Sequence, residues 1–185
     1  MNNYIAILRG INVSGSKLIK MDALRKAFEA WGFKSVQTYI QSGNIVFQSN
    51  KATTQELEKR IYQNIKKEFG FDVPVVVKTH QELKNIVSKN PFAKDKLKDP
   101  AFFHVTFLSA VPEKENIRKI TETSFSPEEF ILAGNSIYLY CPKGYGSAKL
   151  TNNFLEGKLK VNATTRNWKT TLELLKMAEA AEKKL

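Results

Sequence analysis

Between Arg9 and Met21 the chain reads Arg9-Gly10-Ile11-Asn12-Val13-Ser14-Gly15-Ser16-Lys17-Leu18-Ile19-Lys20-Met21, a loop of glycines, amides, hydroxyls and cations. Such a composition can hold an anion. Gly10 and Gly15 let the backbone turn N–H groups toward a ligand, and Arg9, Asn12, Ser16 and Lys17 can add charge-assisted hydrogen bonds. The helix expected after the loop brings free N–H donors and a positive pole. The same side chains also have a structural use, since Arg9 can tie the loop down while Asn12 and Ser16 close turns onto their own backbone. The Gly-Lys-Ser/Thr step of a P-loop is missing.

A second basic loop, Pro142-Lys143-Gly144-Tyr145-Gly146-Ser147-Ala148-Lys149, makes Lys149 a candidate phosphate contact, with a solvated surface turn as the alternative. Further on, Thr164-Thr165-Arg166-Asn167-Trp168 offers a threonine to cap a helix and Trp168 to anchor it. That arrangement leaves Arg166 and Asn167 as candidate ligand contacts near a helix start, or as donors pinning the last helix. Strand alternation groups His104 with Thr106, Tyr138 with Tyr140, and Tyr39 with Gln37 and Gln41, so Tyr39 and Tyr138 are candidate stacking surfaces. With two histidines and one cysteine, neither a metal cluster nor a Cys-His dyad is indicated, no cofactor motif is present, and no catalytic residue can be named.

The elements that must position these residues follow from periodicity. Residues 4–9 form an apolar run suited to a central strand. Met21, Leu24, Phe28 and Trp31 recur at helical spacing over 21–31, with Gly32 at the end. A hairpin follows, with Val36–Gln41 and Ile45–Gln48 flanking Ser42-Gly43-Asn44. Thr53-Thr54-Gln55-Glu56 has capping-box spacing for a helix carrying Leu57, Ile61, Ile65 and Phe69, and Val73–Lys78 reads as a strand that Pro74 places at an edge. Thr79-His80-Gln81-Glu82 opens another helix, and residues 90–100 look like a linker.

The pattern then restarts with a strand at 102–108, a helix opened by Pro112, and a hairpin turning at Gly134-Asn135. Gly43 and Gly134 mark equivalent turns, which predicts a duplicated β-α-β-β-α unit. No last strand is expected in the second copy; residues 163–170 are read as opening a final helix instead. The expected divisions are 1–79, 80–100 and 101–185.

The 185 residues carry 29 basic and 18 acidic side chains, a formal charge of +11, with 42% apolar residues to build a core. Arg9 to Lys26 holds five cations against Asp22 alone, and Lys143 to Lys169 holds six against Glu156 alone. Such blocks attract polyanions or serve as a solvated face. A single cysteine, a start without a signal peptide's apolar segment, and no membrane-spanning apolar run point to a cytoplasmic protein with no membrane partner.

Arg9-Gly10-Ile11-Asn12-Val13, Lys20-Met21, Thr38-Tyr39-Ile40-Gln41-Ser42-Gly43-Asn44, Gly146-Ser147-Ala148-Lys149-Leu150 and Thr164-Thr165-Arg166-Asn167-Trp168 together resemble the bacterial domain-of-unknown-function family 1697. The resemblance runs from about Asn3 to Lys176. It implies an α+β protein of two ferredoxin-like halves related by duplication, plus a C-terminal helix, and implies no activity. Ser14 departs from the family pattern, which has glycine there.

The functional expectation is a binding protein for a phosphate-bearing ligand, either an anionic small molecule such as a nucleotide or a nucleic acid. For RNA in particular, the strands lack the Lys/Arg-Gly-aromatic run of an RNA-recognition motif. One alternative is an enzyme acting on a small anionic metabolite in a pocket between the halves, with Tyr39 or His104 moving a proton. The other is a structural or protein-interaction module.

Overall fold

The computed structural model describes residues 1–182 and has a mixed α+β fold of two four-stranded antiparallel sheets and six α-helices. Two compact units divide the chain, one formed by Met1–Asn85 together with the chain from Glu173 on, the other by Ile86–Leu172.

In the first unit the order is β1 (Asn2–Leu8), α1 (Met21–Ala30), β2 (Lys34–Tyr39), β3 (Asn44–Ser49), α2 (Thr54–Phe69), β4 (Val75–Thr79) and the start of α3 (His80–Ser88). The strands lie in the order β2-β3-β1-β4. Strand β1 is central because Tyr4 to Leu8 are apolar on both faces and all buried, as an inner strand requires. Tyr4, Ala6, Leu8, Ile45, Phe47, Val75 and Val77 form one face, onto which α1 packs Leu24 and Phe28 and α2 packs Leu57, Ile61 and Ile65. Phe33 and Phe47 sit 4.7 Å apart and Phe28 lies 5.4 Å from Phe33, distances at which rings gain edge or tilted contact. Both expected capping boxes form. Thr53 exchanges bonds with Glu56, and Thr79 does the same with Glu82.

Edge strand β4 leaves a backbone N–H that water or a side chain must satisfy. Glu58 on α2 does so, accepting from the Val77 N–H at 2.8 Å. Its half-buried carboxyl is pushed up to about 7, mainly by loss of solvent, with the Val77 bond and Lys78 opposing. Burial likewise pushes Lys78, 2% exposed, down to about 8, with Glu82 and Glu58 opposing.

A carboxyl whose folded pKa is raised favours the folded state below its unfolded pKa, and that stability is lost as pH rises to the folded pKa. We expect this contribution to fall between pH 4.5 and about 7. Partial solvent screening limits the loss to ~1–2 kcal/mol. Glu58→Gln keeps the acceptor, so denaturant unfolding at pH 5 and pH 8 should show the difference shrink in that variant.

The second unit contains β5 (Phe103–Leu108), α4 (Lys114–Thr121), β6 (Glu129–Ala133), β7 (Ser136–Tyr140), α5 (Asn152–Leu159), β8 (Ala163–Asn167) and the start of α6 (Trp168–Glu182). Its strands lie in the order β6-β7-β5-β8. Leu108, Ile137, Leu139 and Ala163 on the sheet meet Ile120 of α4 and Leu155 and Leu159 of α5. Strand β8 corrects the sequence reading of 163–170 as a helix opening, because Ala163 to Asn167 pair in register with Leu108 to His104. The helix begins one residue later, where the Asn167 Oδ1 accepts from the Thr170 N–H at 2.8 Å. Asn167, rather than a threonine, is the cap.

The expected boundary at 101–185 also differs from the observed units, since α6 leaves the second unit at Glu173. Beyond that point its Ala178 and Ala181 carbonyls accept from Asn3 and Gln48 of the first unit's sheet.

Candidate functional site

In the first unit the Arg9–Lys20 loop is built by left-handed residues: Gly10, Asn12, Ser14, Gly15 and Lys17 have φ of 70°, 55°, 49°, 75° and 46°. Val13 and Ser16 bridge antiparallel around Ser14-Gly15, and the Ser16 N–H donates to the Val13 carbonyl at 2.9 Å. Positive φ at both central residues is the geometry of a type I′ hairpin turn. Ser14, with a side chain in a region that favours glycine, is strained there. Ser14→Gly should therefore raise stability by ~0.5–1 kcal/mol, after the flexibility glycine adds to the unfolded chain, as measured by denaturant midpoint.

Asn12 uses its whole amide on the fold. Nδ2 donates to the Ile19 and Gln41 carbonyls, both at 2.9 Å, and Oδ1 accepts from the Ile19 N–H at 2.8 Å. It thus closes its own loop and ties it to the segment after β2. The Lys17 ammonium donates to the Asp72 carbonyl. Arg9 is half-buried at the end of β1, and its N–H donates to the Pro74 carbonyl at 3.0 Å. Ser16 is exposed on the turn.

Tyr39 is half-buried opposite Asn44 in the hairpin, and its carbonyl accepts from Asn44 at 3.0 Å. Gln41 is no strand partner for it, because β2 ends at Tyr39 and Ile40 takes a φ of 48°.

In the second unit, His104, Thr106, Tyr145, Asn152 and Thr165 form one polar chain. Thr165 donates to the Asn152 Oδ1 at 2.7 Å, which uses its only proton. The 2.7 Å contact with Thr106 and the 3.1 Å contact with Tyr145 are therefore bonds that Thr165 accepts. The His104 ring stacks on Tyr145 at 5.0 Å, with Nδ1 3.2 Å from the Phe102 carbonyl. That carbonyl needs a donor, so the proton sits on Nδ1 and Nε2 carries the lone pair. Burial pushes the His104 pKa down, with the Phe102 bond opposing.

Arg166 is half-buried, donates to the Thr165 carbonyl at 3.0 Å, and is pushed down to about 10 by burial, with Tyr145 opposing. It stays charged at neutral pH. Tyr138 is 2% exposed and its hydroxyl donates to the Ile86 carbonyl at 2.9 Å, so this ring offers no face for a ligand. The alternation was read correctly, but the segment before β5 covers that side of the sheet: Phe92 lies 6.1 Å from Phe103 and 6.2 Å from Tyr140.

The second basic loop bounds a cavity of about 220 Å³ lined by Cys141, Lys143, Gly144, Ser147 and Lys149. Glu128 holds its far end, accepting from the Lys149 and Leu150 N–H groups at 2.7 and 3.1 Å. Ser147 donates to the Lys143 carbonyl at 3.0 Å, which curls the loop back on itself. Both lysines are exposed, and among the described residues no ion pair fixes either ammonium group. Burial and Glu128 push the Cys141 thiol up to about 11, so it is not a thiolate at neutral pH. No group of three His, Cys, Asp or Glu stands together among the described residues.

A family model described as a protein of unknown function (DUF1697) matches residues 1–138. The chain belongs to this family. Among solved structures, this DUF1697 chain is similar to the conserved bacterial protein SP0830 from Streptococcus pneumoniae. The TM-score is 0.76 at 20% identity, over 96% of this chain and 98% of that one. At that identity the likeness shows the fold alone. No curated protein matches the DUF1697 chain.

Sequence reasoning missed Glu128 and Asn152, which organise the second unit's loop and polar chain. Glu128 lies in an aperiodic stretch, and its partners are backbone N–H groups, which leave no mark on residue type.

Proposed function

We propose that this protein binds a phosphate-bearing ligand, nucleotide or nucleic acid, at the Lys143–Lys149 loop. The carrying observation is that this basic loop borders a cavity of about 220 Å³ with two exposed ammonium groups at its rim that no ion pair holds among the described residues. Ammonium groups without a protein partner can neutralise phosphate without first breaking an ion pair. In the first loop, by contrast, Asn12 and Lys17 are engaged on the protein itself. A formal charge of +11 would steer any polyanion toward the molecule.

Lys143→Ala and Lys149→Ala should each weaken binding of inorganic pyrophosphate about tenfold in calorimetry, the scale of one charge-assisted bond, with unchanged melting. For a 5′-phosphorylated single-stranded oligonucleotide, log affinity should fall with log salt at a slope of about −0.7 per phosphate neutralised, whereas a nucleotide confined to the cavity gives a shallower fall. Unchanged pyrophosphate affinity in both variants rejects the assignment.

The topology supports a finer reading of the fold as well: two ferredoxin-like halves descended from a duplication. Both sheets take the order second-third-first-fourth, and both last strands run straight into a helix. The Leu8 and Leu108 N–H groups donate to the Gly43 and Asn135 carbonyls of the hairpin turns at 2.8 and 3.0 Å. Arg9 and Ser109 donate to Pro74 and Asn162, each at 3.0 Å. Among the described residues no helix is long and apolar enough to cross a membrane, and a cytoplasmic site of action accords with a nucleotide or nucleic-acid ligand.

A further inference from the structure

A larger cavity, of about 580 Å³, lies in the first unit beside α2, and its volume is within the range of small-molecule sites. Its wall comes chiefly from the start of β2, the end of β3, the loop into α2 and the first turns of that helix, all within one compact unit. The half-buried Ala52 gives it an apolar stretch, while Lys34, Lys51 and Arg60 bring three cations to it.

Arg60 is held in place before any ligand arrives. Its guanidinium lies 4.6 Å from the centre of the Phe33 ring and donates through Nη2 to the Trp31 carbonyl. Gly32 lies against the same group, since a Cβ added there would meet Nη2 at 3.7 Å. A guanidinium has five N–H donors, and among the described residues the Trp31 carbonyl is the hydrogen-bond acceptor that Arg60 reaches. The remaining donors are open to an anion, and a planar fork already fixed by a ring and a carbonyl loses little freedom on taking one.

Lys34 and Lys51 are exposed, and among the described residues neither ammonium group has a hydrogen-bond or ion-pair partner. Glu56 also lines the wall. Its Oε2 accepts from the Thr53 N–H and hydroxyl, both at 2.8 Å, so this carboxylate is committed to the cap of α2 and offsets that helix's positive pole. Three cations against one committed carboxylate favour an anionic occupant.

The cations are spread along the wall. Lys51 precedes the Thr53 cap by two residues, and Arg60 follows it by seven, which at the helical rise is about 10 Å along the axis. Lys34 stands at the Arg60 end, one residue after the Phe33 ring on which the guanidinium lies. We propose that this cavity binds a small organic molecule carrying two oxyanion groups several carbons apart, one on the Arg60 fork with Lys34 and the other on Lys51, with its carbon chain along the α2 wall. Inorganic pyrophosphate, whose charges are adjacent, does not span these cations.

The test titrates the full chain at pH 7 and constant ionic strength with adipate and, separately, with 1,6-hexanediol bisphosphate, the tighter of the two identifying the oxyanion as carboxylate or phosphate. Hexanoate and 1,6-hexanediol are the controls, of the same length with one charge and none. The readouts are the Arg60 Nε–H resonance and the backbone amides of residues 31–34 and 50–57. At least one dianion should shift them saturably, hexanoate should bind at least tenfold more weakly, and hexanediol should leave them unmoved. Lys51→Ala, in an exposed loop position where folding is not at stake, should bring the dianion down to the affinity of hexanoate. Arg60→Lys keeps the charge without the fork and should weaken dianion and hexanoate alike, by about tenfold. No saturation by either dianion, equal affinity for hexanoate, an unchanged dianion affinity in Lys51→Ala, or shifts centred instead on residues 141–150 would each overturn the proposal.

Discussion

Gly43→Ala should destabilise the protein by ~2–5 kcal/mol, because it combines a left-handed backbone with no room for a methyl group. Gly43 has φ +80°, and a Cβ there would lie 2.8 Å from both the Leu8 Cβ and the Ile11 Cδ1. Neither neighbour can yield easily, since Leu8 is in the central strand and Ile11 is 1% exposed in the core. The Gly43 carbonyl also accepts from the Leu8 N–H at 2.8 Å, so moving the turn away would break that bond. Gly134→Ala is the control, because Gly134 has φ +58° but nothing within 4 Å of an added Cβ. Only the backbone part of the loss, ~1–2 kcal/mol, should appear there. Equal losses in the two variants, measured by denaturant unfolding, would show that crowding at Gly43 is absent.

Trp168→Ala should remove ~3–5 kcal/mol, the range for truncating a large buried ring. Trp168 is 8% exposed at the first position of α6, immediately after the Asn167 cap. Trp31, half-buried and bonded through Nε1 to Glu68 at 2.8 Å, remains as a fluorescence reporter of unfolding in the variant. A loss below about 1 kcal/mol would contradict the burial of the indole.

Strong periodicity was readable and weak periodicity was not. Leu57, Ile61 and Ile65 announced α2, the two Thr-x-x-Glu boxes announced its start and that of α3, and the all-apolar β1 announced a central strand. Strand β8 was missed because Ala163-Thr164-Thr165-Arg166-Asn167 has no apolar alternation. Only its pairing with β5 at the sheet edge makes it a strand. Alternation groups Tyr138 with Tyr140, but exposure depends on what covers their face, here a segment whose residue types mark it as a linker.

For the site, the loops were legible from glycines and cations, whereas the division of labour inside them was not. Asn12 has the composition of a ligand contact and serves as a clamp, because three backbone groups lie within reach of one amide. Lys149 is a candidate from its basic loop alone, but the cavity beside it and the Glu128 carboxylate that holds its backbone leave no mark on residue type.

The most direct test of phosphate binding at the Lys143–Lys149 loop is a backbone amide NMR titration of the full chain with inorganic pyrophosphate at physiological salt. Saturable shifts should concentrate in residues 141–150, with smaller ones elsewhere, and should be lost in a Lys143→Ala/Lys149→Ala double variant. Shifts spread evenly over the exposed lysines, or centred on residues 9–20 and unchanged in the double variant, would contradict phosphate binding at this loop.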